Sequence, residues 1–562
     1  MHCLLPIALC LQASPELPAS DLLVHNALVW TADAETPAAS AFGVRDGVIV
    51  AVGERAQVAA QLREGFESLD LGGRRVTPGL VDAHVHLTNA AGALAALDVR
   101  GATSRENLLQ RVSDYARGLD ENDWVVGRGW SAESWPVAQA PTADELELAS
   151  GGRAVVLTRM DGHSLIASRS ALEAAGIDDE GPEDPPGGRI GRDDSGRPNG
   201  AVYEEAMELL TPLIPDPETE FEVFLRRAID QLHAWGVTSV GAIEPLFGFT
   251  EYLIPLDAAG ELDLHVYGVV TEDGLFVPQW AERIDWVATH RRPTERIRML
   301  GFKGYMDGSL GSKTAWMHAA FADDPGNTGL PASLAGNGGL RRIIEIAAER
   351  GVQPVVHAIG DRANSTILDW YEALPAARRG ALRPRVEHAQ HLRPEDVERF
   401  AGVGVVASMQ PLHKADDGRY AERRLGRERI QSSYAFRSLV DSGARLAFGS
   451  DWPVVSANPL LGIHAAVTAR TLDGKVFVPE QSLTLEEALF AYTRDASYAL
   501  FAENEVGRIA PGLAADFVVF GADPFELEPE MLLERAATLV RATYVAGEQV
   551  YPRDGAERDD AE

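Results

Sequence analysis

Apolar positions along the chain follow two periods. From Asp21 the segments LLVHNALVW, ASAFGVR and GVIVAVG read as short β-strands, with Arg45-Asp46-Gly47 placed as a hairpin turn. LDLGGRRVTPGLVDAHVH continues as a further strand pair broken at Gly72-Gly73. The same texture returns near the other end in GRIAPGLAADFVVFGADP and ATLVRATYVAGEQVY. The two ends therefore predict one small β-sandwich over 20–78 and 503–552. Between them, apolar β runs alternate with amphipathic helical stretches, the pattern of repeated βα units. Eight runs read as barrel strands: VTPGLVDAHVHL, GVTSVGAI, LDLHVYGVV, IRMLGFKGYMDG, QPVVHAIG, RPRVEHAQ, GVGVVASMQ and ARLAFGSDW. Between strands, LRRIIEIAAERG carries apolar residues at helical spacing and stops at Gly351. The predicted fold class is α/β: a (β/α)8 TIM-type barrel over 79–502 with the flanking β-sandwich. In such a barrel the active site lies at the C-terminal ends of the strands.

Roughly 140 residues separate the first barrel strand from the second, against about 2–6 in an ordinary βα loop. This large insertion carries its own elements, and 100–220 is expected to form a lid or substrate subdomain at the barrel mouth.

Charge narrows the partners. The 562 residues hold 51 Lys+Arg against 84 Asp+Glu, a formal net charge of −33. So acidic a surface repels phosphate backbones and anionic lipid, which excludes nucleic acid and membrane surfaces as expected partners. A small molecule is the expected partner, and a homo-oligomer is compatible with the sequence. Both cysteines, Cys3 and Cys10, lie in the first ten residues, so the body has no disulfide framework, Cys-rich zinc site or cysteine nucleophile. The opening MHCLLPIALCLQAS resembles the apolar core and cleavage region of a signal peptide, although no Lys or Arg precedes it. Residues 1–19 are read as a leader, which predicts an exported, periplasmic or extracellular protein; without a leader the chain is cytoplasmic. The charged stretch 553–562 is expected to be a disordered tail.

Candidate chemistry sits where the strand runs end. His84 and His86 are two apart on a strand, so they share a face and can reach one metal ion from the barrel mouth. His357 follows QPVV, His388 follows RPRVE and Asp451 follows ARLAFGS. Four imidazoles and a carboxylate at strand ends of one barrel converge, and that donor set suits a zinc-like divalent ion. The glycine-rich PPGGRIG and GSLGS lack the spacing and terminal Lys-Ser/Thr of a phosphate loop.

At this point the sequence resembles the amidohydrolase superfamily, in its family 3 branch with the N-substituted formamide deformylase-like proteins. The resemblance rests on PGLVDAHVHL, GRGWSAESW, RMDGHSL, KGYMDGSLGSKTA, DPGNTGL, HAIGDRA, VEHAQ, FGSDWPV and PGLAADFVV, in family order over nearly the whole chain. It implies one or two metal ions, zinc first, held by His84, His86, His357, His388 and Asp451. It also implies that Lys303 is carboxylated and bridges the metals; a carbamate offers two oxygens and a negative charge where an ammonium would repel a dication. A neutral Lys303 amine, or Lys313 in its place, are the alternatives. The implied reaction is hydrolysis of a C–N bond in a small amide, formamide or cyclic amide, by metal-activated hydroxide with Asp451 as proton shuttle. His163, in the insertion, is expected to face substrate, and Trp130 and Trp135 either line an apolar pocket or belong to a core. His391 and His413 receive no role. An esterase or deaminase on the same site, and a non-catalytic barrel scaffold, are the competing readings.

Overall fold

The structure, a computed structural model, describes residues 21–553 apart from 121–122, 134, 180, 215–220 and 272–275. The predicted leader, and the tail beyond Arg553, lie outside the described residues. Four strands open the chain: β1 (Leu22–Trp30), β2 (Ala38–Arg45), β3 (Val48–Gly53) and β4 (Glu67–Pro78). After β5 (Leu80–Val85) come the insertion strands β6 (Leu97–Asp98), β7 (Val125–Trp130), β8 (Val155–Arg159), β9 (Ser164–Ala167), β10 (Gly188–Arg192) and β11 (Pro198–Glu204). Then follow β12 (Val237–Glu244), β13 (His265–Thr271), β14 (Ile297–Tyr305), β15 (Gln353–Ala358), β16 (Arg385–His388), β17 (Val406–Met409) and β18 (Arg445–Phe448). The last strands are β19 (Phe517–Phe520), β20 (Val540–Val545) and β21 (Glu548–Tyr551).

The two chain ends share one seven-stranded sheet, ordered β21-β20-β19-β4-β1-β2-β3. It wraps on itself: Ile49 N–H of β3 donates to Leu513 O at 2.8 Å, just ahead of β19, and Gly512 N–H donates to Ile49 O at 2.8 Å. The wrapped sheet encloses Val24, Val29, Phe42, Val76 and Phe517. Asp46 and Gly47 both take positive φ, 50° and 77°, as a two-residue hairpin turn requires. The break expected at Gly72-Gly73 is absent. β4 runs straight through both glycines, which adopt φ of 60° and 79° and absorb a register shift against β1 between His25 and Ala27. Glycine marks a bulge here, not a strand end.

The barrel strands run parallel in the order β5-β12-β13-β14-β15-β16-β17-β18. A bridge from Val85 to Trp452 closes the ring, with Asp451 N–H donating to His84 O at 2.7 Å. Strands buried on both faces need continuous apolar sequence, and β12 and β15 are buried at every position. Outside the ring, helix Gly339–Arg350 presses Leu340, Ile343, Ile344 and Ala347 onto the sheet and ends at Gly351, φ 70°. Each such Leu or Ile contributes roughly 1.5–3 kcal/mol of burial before entropy is counted.

The insertion is a six-stranded sheet, β10-β11-β9-β8-β7-β6, with cores of its own. Trp130 and Trp135 belong to one of them. Their indole N–H groups donate to Leu157 O and Ala102 O, each at 2.8 Å, so both tryptophans build the insertion and neither lines the cavity at the barrel mouth.

Candidate metal centre

Parallel strands deliver their last residues to one end of the barrel. His84 lies in β5 with His86 just past it, Lys303 in β14, His357 in β15, His388 at the end of β16 and Asp451 just beyond β18. Two of these residues occupy the left-handed region without being glycine, His388 at φ 73° and Asp451 at φ 59°. Such conformations persist only where the surroundings hold them, and they cluster at functional sites.

The side chains meet. His84 Nε2 and His86 Nε2 approach the same Asp451 Oδ1 at 3.1 and 3.0 Å. Lys303 Nζ lies 3.0 Å from His84 Nε2. A ring nitrogen of His84, one of His388 and an Asp451 oxygen lie within 4.8 Å of one another. His357 stands one layer out, its ring 4.5 Å from that of His388 and its Nε2 3.2 Å from Gly308 O. The six residues singled out as ligands therefore share one site, with His84, His388 and Asp451 the tightest group among the described residues. Lys313 is elsewhere, 3.5 Å from Asp323.

The outer ring nitrogens decide whether this set suits a cation. Nδ1 of His84 meets Glu387 Oε2 at 2.6 Å, Nδ1 of His86 meets Ile243 O at 2.8 Å, and Nδ1 of His388 meets Gln410 Oε1 at 2.8 Å. Each acceptor fixes the N–H on Nδ1 and leaves the Nε2 lone pair facing inward. Two lone pairs and a carboxylate oxygen then converge about 3 Å apart, an arrangement that a positive charge stabilises, whether the Lys303 amine 3.0 Å from His84 Nε2 or a bound cation supplies it. Burial holds His86, His357 and His388 below the ordinary imidazole value, in the neutral form a metal ligand needs. As an amine, Lys303 presents a donor to His84; as a carbamate it would present two acceptor oxygens. The donor set fits a divalent ion.

Glu387 and Gln410 were not singled out from sequence. Glu387 is fully buried inside the barrel, where Arg385 grips it at 2.8 and 3.0 Å. Burial opposes its ionisation, and the Arg385 guanidinium outweighs that, holding the carboxyl at about 2. Two opposite charges two residues apart on a buried strand was the available signal. Gln410 follows β17 as His357 and Asp451 follow their runs, and the strand-end rule covers it too.

The insertion closes one side of the mouth. Asp161, just after β8, accepts from Ser309 Oγ at 2.5 Å and pairs with buried Arg159. His163 stands above the centre, its ring 5.0 Å from that of His357, with Nδ1 2.9 Å from Glu204 Oε2. Burial opposes a charge on His163, but Glu204, then Asp161, overcome it and raise the ring to about 9. Asp307 ties the loops together, accepting from the N–H groups of Trp316, Ile359 and Gly360 at 2.7, 3.0 and 2.7 Å.

A closed parallel barrel with imidazoles and a carboxylate gathered at its C-terminal mouth defines a hydrolase of the barrel type. The chain belongs to the amidohydrolase family, whose model matches residues 67–551. It is 35% identical to the Arabidopsis thaliana protein LONG AFTER FAR-RED 3 over 548 residues, 95% of this chain and 92% of the relative. It is 28% identical to the N-substituted formamide deformylase of Arthrobacter pascens, over 95% of this chain and 99% of that enzyme. The crystal structure of an uncharacterized metal-dependent hydrolase from Pyrococcus horikoshii superposes with a TM-score of 0.73 at 27% identity, covering 91% of this chain and 99% of that one. Among the described residues no helix is long and apolar enough to cross a membrane.

Proposed function

We propose that this chain is a metal-dependent hydrolase of C–N bonds other than peptide bonds, acting on a small amide, formamide or cyclic amide. The observation that carries the reading is the convergence of His84 Nε2 and His86 Nε2 on one Asp451 oxygen, in a cavity that Asp451 lines together with His163 of the insertion. The likeness to an N-substituted formamide deformylase supports the amide over an ester. His84, His86, His357, His388, Asp451 and a carboxylated Lys303 would hold the ion or ions, zinc being the metal that neutral imidazole and carboxylate favour. The bound ion would polarise the carbonyl and bring the pKa of water toward ~7.

The chain's own residues do the rest. Asp451 takes the proton released by the attacking water and hands it to the departing nitrogen, which is a poor leaving group as an anion. His163, charged through Glu204, donates to the carbonyl oxygen as negative charge grows there. Purified protein loaded with zinc should release amine from at least one member of a panel of N-formyl, N-acyl and cyclic amides. Ester cleavage or heterocycle deamination with no amine from any amide would sink the reading. Asp451→Asn should lower turnover by about 10²–10⁴-fold, the range for losing a proton-transfer group. Because Asp451 is also one of the proposed ligands, turnover is compared at full metal loading, and an active, metal-replete variant would remove Asp451 from the proton path.

A further inference from the structure

His413 lines the same cavity, and its Nε2 finds no hydrogen-bond partner among the described residues. It sits on the helix Pro411–Asp417, which follows β17 directly and opens with Gln410 at its N-cap. Gln410 turns to His388, and three residues on His413 faces the cavity beside His163, His388 and Asp451. The His413 ring lies parallel to that of His388, 13° between planes and 6.0 Å between centroids. It is 8% exposed, and its Nε2 is buried without a hydrogen-bond partner. That nitrogen lies 3.9 Å from Asp451 Oδ2, too far for a hydrogen bond but right for two groups that share a third atom between them. Among the described residues His265, His391 and His464 also carry an Nε2 without a hydrogen-bond partner, but of the four His413 alone lines this cavity, where a ligand can supply the missing partner.

We infer that His413 Nε2 contacts substrate, accepting the N–H of the scissile amide while Asp451 serves the same nitrogen. The inference rests on the amide reading above and narrows it: the preferred substrates are amides that carry an N–H, and N,N-disubstituted amides are disfavoured. An N-alkyl group in place of that hydrogen would leave Nε2 unpaired and press carbon against it, and sites built around such a polar group reject analogues that lack the matching donor.

The test compares N-methylformamide with N,N-dimethylformamide on the zinc-loaded full chain, by turnover and by calorimetric binding. The wild type should prefer the N–H amide about tenfold, and His413→Ala should erase the preference with metal content unchanged. His413→Gln, which restores an acceptor, should recover part of it and covers the case in which the Ala variant fails to fold. Equal discrimination in wild type and variants overturns the inference, as does loss of metal from the variants, which would make His413 a ligand. Absence of turnover alongside a His413-dependent binding preference would remove the hydrolytic reading and keep this one.

Discussion

Two imidazole–carboxylate pairs flank the cavity, one fully buried and one half-buried, and they are built to opposite ends. In the barrel floor His84 meets Glu387 at 2.6 Å, and Glu387 already has its countercharge in Arg385. It asks only one N–H of the imidazole, and the other nitrogen is left to face a cation. In the insertion His163 meets Glu204 at 2.9 Å, and among the described residues the side-chain partners of Glu204 are His163 and the Thr314 hydroxyl at 2.5 Å. The countercharge must then be His163 itself, which is held protonated to about 9. Arg385 gives Glu387 the countercharge that Glu204 takes from His163, so the floor is suited to hold a metal ion and the insertion to stabilise an oxyanion.

The floor is where the comparison breaks with the largest effect. Glu387→Gln leaves Arg385 charged, fully buried and without its acid, and removing one partner of a buried pair costs about 3–5 kcal/mol. It also frees the His84 ring, and losing an outer-shell acceptor lowers metal affinity about 10–100-fold. Both losses should appear together, in thermal unfolding and in chelator competition. A variant that keeps its metal would show that Glu387 serves the fold alone.

The insertion variant should act on chemistry as well as on stability, because the raised His163 pKa ties the Glu204 pair to folding. Because the folded pKa of His163 is raised, its contribution is fully present below the free imidazole value of ~6.5 and is lost as pH rises through about 9. Activity that depends on the His163 proton should therefore fall on the alkaline side near pH 9. Glu204→Gln removes the charge responsible, so the alkaline limb should move down toward ~6.5 and kcat at pH 8 should drop about tenfold or more. An unmoved limb would take the proton off His163.

Much of the floor was legible in the sequence and most of the lid was not. A parallel strand must be apolar along its length and polar where it emerges, so QPVV-His357 and ARLAFGS-Asp451 disclose direction as well as position. Most of the barrel strands follow from that rule, and β16 departs from it through the buried Arg385–Glu387 pair. Gly72-Gly73 misled because glycine serves both turns and bulges, and only the partner strand distinguishes them. Glu204, Asp161 and His413 lie on an insertion edge or a short helix whose orientation is fixed by tertiary packing, so no period in the sequence points them at the cavity. His163 was reached through its segment's resemblance, and its charge could not be read without Glu204, 41 residues away.

The smallest effect separates the lid's fold from its chemistry. Trp135 lies in the insertion core, 5% exposed, with its indole N–H on Ala102 O. Trp135→Phe keeps an aromatic ring, deletes the donor and leaves that carbonyl short of a partner, a loss of about 1–3 kcal/mol. Substrate should not notice, because the indole faces the insertion's own core and the cavity is bounded by Arg159, Asp161 and His163 from the same sheet. Unfolding should therefore shift down by several degrees while kcat and KM on the best amide stay within about twofold. A changed KM at unchanged stability would instead put Trp135 in contact with substrate, and the lid would then read the ligand through its apolar core as well as through His163.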